Sequence, residues 1–173
     1  MYKLLRAALR QRPEYIIVGE VRGREAMTLF QAMNTGHVTY STMHADSVES
    51  AIHRLESPPI NVPRNMLSAL SLISIQVQAR IEGQRIRRNK HIIEILGTDS
   101  RTGEMITNEV FRWHSAADEI HYSGKSYILE EIMEDRGWSE EQMQEEMKRR
   151  QEVLEWMRTK QIRHFRDVSN ILV

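Results

Sequence analysis

The four residues Tyr15-Ile16-Ile17-Val18, fenced by Pro13 and Gly19, constrain this chain more than any other stretch. An unbroken apolar run of that length is too short for a buried helix and reads as a strand covered on both faces. Val38 to Ser41 reads as a second buried strand. Between them a helix is predicted from about Glu25, with Ala26, Leu29, Phe30 and Met33 on one face and Gly36 as its C′ residue. Leu4, Leu5, Ala8 and Leu9 make a helical face ahead of the first run, and Pro13 ends that helix. Asp46 and Glu49 have capping-box spacing and predict a helix through Ala51, Ile52 and Leu55. Pro58, Pro59 and Pro63 predict a stiff connection. Pro63 is expected in the first turn of a helix carrying Met66, Leu67, Leu70 and Ile73. Helix, strand, helix, strand, helix is the pattern of a parallel α/β sheet.

The hydrophobic period then changes. Ile75, Val77, Ala79 and Ile81 alternate with Gln76, Gln78, Arg80 and Glu82, which predicts a half-buried strand. Gly83-Gln84 is the expected hairpin turn. Ile92, Ile93 and Ile95 lie in the return strand, and Met105 to Trp113 reads as a third strand after a turn-rich stretch. From about Ser126 the chain reads as helical. Gly137 closes one helix, Ser139 and Gln142 cap the next, and Trp138 with Met143 has the spacing of a hydrophobic staple. A last helix is expected through Phe165, Val168, Ile171 and Leu172. The expected organisation is therefore α/β over residues 1–74, a small antiparallel β region over 75–123 and a helical region over 124–173.

Composition narrows the function classes. The 173 residues contain no cysteine, which excludes a disulfide framework and thiolate metal sites. Formal net charge is zero, so nothing in the balance calls for nucleic acid or a membrane surface. Mean hydropathy is −0.52 and no apolar run has the length of a membrane span. Charge is nevertheless segregated. Arg80, Arg85, Arg87, Arg88 and Lys90 cluster around the expected hairpin, and residues 130–155 hold ten acidic against four basic side chains. A guarded edge strand and a solvated helix face account for these two features. For the basic cluster, contact with a neighbouring subunit, an acidic partner or phospholipid is the functional alternative.

Two segments carry chemistry. In Tyr15-Ile16-Ile17-Val18-Gly19-Glu20-Val21-Arg22 a buried parallel strand ends and a carboxylate follows. Ligands of open α/β sheets bind at that carboxyl edge, where Glu20 could orient a water or act on Mg²⁺. A strand ending in Gly-Glu is also an ordinary turn. In Thr35-Gly36-His37-Val38-Thr39-Tyr40-Ser41-Thr42-Met43-His44, His44 falls at the same edge and could donate a hydrogen bond to a phosphate. A single His at a strand end is otherwise an ordinary polar residue. His37 sits at the other end of the strand and reads as structural, and Ser41 and Thr42 could satisfy local backbone groups.

Together the two segments resemble the secretion ATPase superfamily, the motors of type II and type IV secretion, type IV pili and archaella. Val18-Gly19-Glu20-Val21-Arg22 is similar to the family's Walker B strand, and Thr35-Gly36-His37 through Ser41-Thr42-Met43-His44 to its His box. Leu5-Arg6-Ala7-Ala8-Leu9-Arg10-Gln11 also matches. Tyr40-Ser41-Thr42-Met43-His44-Ala45-Asp46-Ser47 is most similar to the archaeal branch. The resemblance implies a partial RecA-like P-loop ATPase core followed by a small antiparallel sheet and a helical C-terminal region. It also implies Glu20 as the catalytic carboxylate and His44 as a contact to the γ-phosphate. His37, Arg22 and Thr42 become supporting residues. ATP and Mg²⁺ are the implied cofactors, with Glu20 reaching the metal through water if at all. A homohexamer and a membrane platform protein are the implied partners, without nucleic acid. The implied location is cytoplasmic, peripheral on the inner face of the cytoplasmic membrane.

One departure matters as much as the match. No segment fits Gly-x-x-x-x-Gly-Lys-Ser/Thr. Gly124-Lys125-Ser126 has the tripeptide, but Glu119 stands where the first glycine belongs. The chain on its own is therefore expected to be inactive and to correspond to the C-terminal portion of a family member. A truncated, non-catalytic paralogue acting as an interaction module is the alternative, and a RecA-type DNA motor a third reading.

Overall fold

The structure is a computed structural model and describes residues 2–172. It is α/β, with two compact units, Met1–Ser126 and Tyr127–Val173.

The first unit opens with α1 (Tyr2–Arg10), β1 (Tyr15–Val18), α2 (Glu25–Asn34) and β2 (Val38–Ser41). Strands β1 and β2 pair in parallel, with Tyr15 opposite Val38 and Val18 opposite Ser41. Helix α2 ends as its glycine predicts. Gly36 takes φ +87°, its N–H donates to the Met33 carbonyl, and the His37 N–H reaches back to the Ala32 carbonyl. That Schellman arrangement satisfies the last helical carbonyls and turns the chain straight into β2. Next come α3 (Val48–Glu56) and the short α4 (Arg64–Leu67).

A four-stranded antiparallel sheet follows in the order β3 (Leu72–Ile81), β4 (Gln84–Thr98), β5 (Met105–His114) and β6 (Glu119–Tyr122). Its Ile95 lies in the same core as Leu5, Ile16, Val18, Leu29, Phe30, Ile52 and Leu67. One acidic side chain is buried there. Glu94 accepts from Asn108 Nδ2 at 2.9 Å and from the Ser126 hydroxyl, and these partners offset the cost of taking a carboxyl group out of water.

The second unit holds α5 (Tyr127–Arg136), α6 (Glu140–Thr159) and α7 (Phe165–Leu172). Its capping box forms as the sequence predicts, with Ser139 Oγ accepting from the Gln142 N–H and the Gln142 side chain accepting from the Ser139 N–H. Among the described residues no helix is long and apolar enough to cross a membrane.

Several local expectations are corrected. The motif strands are not covered on both faces. Ile16 and Val18 are buried, whereas Tyr15, Ile17, Val38 and Tyr40 are exposed, because the core packs against only one face of the two-stranded sheet. Leu4 is exposed too, one position off the buried stripe that contains Leu5. Helix α3 is capped by Ser47, not Asp46. The Ser47 hydroxyl accepts from the Ser50 N–H at 3.1 Å, which moves the cap one residue on. Pro63 is the N-cap of a four-residue α4, and Ile73 belongs to β3. The hairpin turn is Glu82-Gly83. Both residues have positive φ, so the turn's twist matches its strands, and Gln84 already pairs with Ile81. Strand β6 was not foreseen in the sequence.

The exposed face of the parallel sheet should make the chain self-associate. The double change Ile17→Thr with Tyr40→Thr should lower concentration-dependent light scattering and leave the melting temperature within a few degrees, since surface changes shift stability by only about 0.5 kcal/mol. Leu67→Ala, at a fully buried position, should cost roughly 2–5 kcal/mol in denaturant unfolding.

Candidate functional site

Parallel pairing carries the chain past the ends of β1 and β2 side by side. Two bonds keep it in step there. The Val21 N–H donates to the Thr42 carbonyl at 2.9 Å, and the Thr42 hydroxyl donates to the Gly19 carbonyl at 2.5 Å. Thr42 thus links the two strand ends from the side chain and the backbone together.

Glu20 stands between these bonds with Arg22 and His44 as its partners. Its Oε2 is 2.5 Å from an Arg22 guanidinium nitrogen, and its Oε1 is 3.3 Å from His44 Nε2. The Glu20 side chain is 25% exposed, against 69% for Arg22 and 78% for His44. One carboxylate at a sheet edge is therefore flanked by two solvent-facing donors. The hydrogen bond from Arg22 holds the Glu20 carboxyl below its ordinary value; burial opposes it, and the charges of Arg22, His44 and Arg54 add to the lowering. The same pairing raises Arg22.

Two residues that sequence reading passed over brace the loops beside Glu20. Arg54 of α3 donates to the His44 carbonyl at 3.0 Å and so fixes the loop after β2. Glu25, in the first turn of α2, accepts from the backbone N–H groups of Arg22 at 2.7 Å and Gly23 at 2.9 Å. Burial pushes Glu25 upward, but the N–H donors of Arg22, Glu25 itself and Gly23 hold it below its ordinary value. An acidic residue in the first helical turn directly after Gly23-Arg24 is the signal that could have identified it. Nothing in the sequence pattern marks Arg54.

His37 does not join this group. It precedes Val38, which pairs with Tyr15 at the far end of the sheet, and its Nδ1 lies 3.3 Å from the Thr35 hydroxyl. The structure thus brings Glu20, Arg22, Thr42 and His44 to one edge and leaves His37 at the other.

A cleft of about 500 Å³ opens from that edge. Glu20, Thr42 and His44 line it on one side, Ser74 and Gln76 of β3 on another, and Phe30 lies among its apolar residues. Glu20 is the one carboxylate lining the cleft among the described residues. Such a site can hold a partly apolar ligand with one general-base or water-orienting group beside it.

The family profile of the type II/IV secretion system protein matches residues 1–171. The chain belongs to the type II/IV secretion system protein family. It is 47% identical over 154 residues to an uncharacterized protein of Methanocaldococcus jannaschii, covering 89% of this chain and 57% of that one. It is 39% identical to a second uncharacterized protein of that organism, over 99% of this chain and 32% of the relative. It is also 35% identical to the type II secretion system protein E of Pseudomonas aeruginosa, over 55% of this chain and 20% of that protein. This family member therefore spans between a fifth and somewhat over half of the length of these relatives.

The depressed carboxyl of Glu20 has a defined pH signature. A group whose folded value lies below its unfolded value contributes stability above the unfolded value and loses it as pH falls through the folded one. Carbon-detected titration of Glu20 should give a midpoint below that of an ordinary glutamate, and Arg22→Ala should move it upward. An ordinary midpoint in the wild-type chain would mean that the Arg22 contact is not formed in solution.

Proposed function

We propose that these residues form part of an ATP-hydrolysing motor whose complete protein works as a homohexamer in protein secretion or type IV filament assembly. What carries the reading is the convergence of Glu20, Arg22 and His44 at the carboxyl edge of two parallel strands, in a chain of the type II/IV secretion system protein family. That is the edge at which open α/β sheets meet their ligands.

In this reading Glu20 orients the water that attacks the terminal phosphoryl group, and His44 donates a hydrogen bond to that group and responds to its loss. Thr42 keeps the two strand ends in register, and Arg22 holds Glu20 ionised. Both Glu20 oxygens already have a nitrogen partner, so the residue suits a metal only through water, and Mg²⁺ when bound would neutralise charge on the phosphate oxygens. His37 supports the loop between α2 and β2. The motor would sit on the cytoplasmic face of a membrane and act on a membrane-embedded platform protein of its machine.

A second reading has its own observation. The 173 residues contain no Gly-x-x-x-x-Gly-Lys-Ser/Thr segment, so these residues by themselves offer no backbone cradle and no lysine for the β- and γ-phosphates. A non-catalytic interaction module of the same family fits that composition.

Phosphate release separates the two. The 173-residue chain alone should give no ATP turnover. In a complete protein that supplies a phosphate loop, Glu20→Gln should slow hydrolysis by about 100-fold or more while nucleotide binding stays within a few-fold. His44→Ala should lower the rate by less, because it removes one hydrogen bond from the transition state rather than the group that orients water. Hydrolysis by the Glu20→Gln protein at close to the wild-type rate would remove Glu20 from the catalytic role.

A further inference from the structure

The tip of the β3–β4 hairpin carries an arrangement that isolated sheets avoid. Arg80 and Arg85 face each other directly in the antiparallel register, and Arg87 pairs with Gln78 one step along the same face. Residues directly opposite across a ladder project to the same side with Cβ atoms about 5 Å apart, and like charges so placed destabilise the pair. All three arginines are exposed, and none of them is in an ion pair among the described residues. Neighbouring Arg88, on the opposite face, shows what a satisfied arginine looks like here. Its Nε and Nη2 bind Asp118 at 2.7 and 2.6 Å. Three guanidinium groups on one face with no ion-pair partner among the described residues form a surface suited to an anionic partner.

The second unit supplies the complementary chemistry. Residues 130–146 hold eight acidic side chains and one basic one. On α5, Glu130 and Glu134, and Glu131 and Asp135, are four residues apart. That spacing puts their Cβ atoms about 5–6 Å apart on a helix face, close to the spacing of the opposed arginines. Glu134 also lines a groove of about 450 Å³ with Met133, Trp138 and Glu140. Acidic walls with a methionine and an indole suit an arginine, whose stem packs on apolar surface while its planar head binds carboxylates.

We infer that the arginine face of the β3–β4 hairpin docks on the acidic face of α5 in a second copy of the chain. The two surfaces are different, so the contact is head-to-tail and leaves one free surface of each kind, which closes a ring or extends a filament. The commitment to a second copy rests on charge complementarity, since the chain is neutral overall and carries both surfaces. It does not depend on the roles given to Glu20 and His44 and survives if those fail.

Sedimentation of the full 173-residue chain tests it with paired charge reversals, all carried on an Ile17→Thr, Tyr40→Thr background that removes the apolar sheet contact. One variant carries Arg80→Glu, Arg85→Glu and Arg87→Glu. The other carries Glu131→Lys, Glu134→Lys and Asp135→Lys, which leaves cations in the last turns of α5 where a helix tolerates them. The background chain without charge reversals should self-associate at low salt and dissociate as salt rises. Each reversal variant alone should associate at least about tenfold more weakly, and an equimolar mixture of the two should recover the background affinity. Recovery on mixing identifies contact between copies. A mixture no tighter than its components overturns the inference, as does association that persists in both variants or strengthens with salt, which marks the apolar sheet face instead. Vesicles of anionic phospholipid form the second arm. Binding of them by wild type and not by the hairpin variant, without salt-sensitive self-association, assigns the arginines to a lipid surface and overturns the second-copy reading. If a triple variant loses its cooperative melt, Arg80→Gln with Arg87→Gln, and Glu134→Gln alone, carry the same comparison against wild type.

Discussion

Everything at the candidate site depends on the register between β1 and β2. Four residue pairs fix it, and the Thr42 hydroxyl and carbonyl extend it past the strand ends to Gly19 and Val21. A one-residue slip in a sheet sends every following side chain to the other face. Here it would turn Glu20 away from His44 and move Ile16 and Val18 out of the core together. Packing and chemistry are therefore coupled through one short ladder: the burial that holds the register also sets the separation of Glu20 and His44.

The parallel pair, its carboxyl edge and the meeting of Glu20 with His44 were legible in the sequence because each follows from a short-range rule. Pro13 and Gly19 bracket one strand, Gly36 opens the other, and parallel neighbours bring their ends together. What failed were judgements that depend on neighbours distant in the chain. Apolar Tyr15 and Ile17 read as buried, yet exposure is decided by what packs on a face, which a local pattern does not contain. The cap of α3 moved from Asp46 to Ser47, two adjacent residues that both favour that position. The hairpin turn moved to Glu82-Gly83 because Gly83 pointed to the turn without saying which of its neighbours shared it. Arg54 escaped notice for a different reason. Its function in the fold is to hold a carbonyl ten residues away, and that leaves no signature in spacing or composition.

The exposed side of the parallel sheet and the arginine face of the hairpin are the two places where sequence and structure disagree about completeness. Tyr15, Ile17, Val38 and Tyr40 are chosen as core residues are chosen, and exposing them together costs solubility without adding stability. Arg80 opposite Arg85 costs local stability too. Local conflicts of this kind are concentrated at surfaces whose contacts lie elsewhere. The first disagreement is apolar and strengthens with salt, while the second is ionic and weakens with it. They describe different contacts, and a single partner surface need not satisfy both.

The ion pairs around Glu20 set how the site can change state. Arg22 and His44 are mostly in water, and exposed pairs of this kind are individually weak because hydration competes for each charge. A weak pair is cheap to exchange. On the proposed reading, an incoming phosphate would offer His44 a stronger acceptor than a carboxylate already shared with arginine, so His44 would leave Glu20 with little energetic penalty. Glu20 then keeps the Arg22 contact that holds it ionised and has one oxygen freed toward the cleft. On that reading the loss of one contact, His44 to Glu20, would both sense the phosphate and expose the lone pair needed to hold a water. The backbone bonds from Val21 and Thr42 are unaffected by the exchange, so the strand ends stay in place while the side chains rearrange.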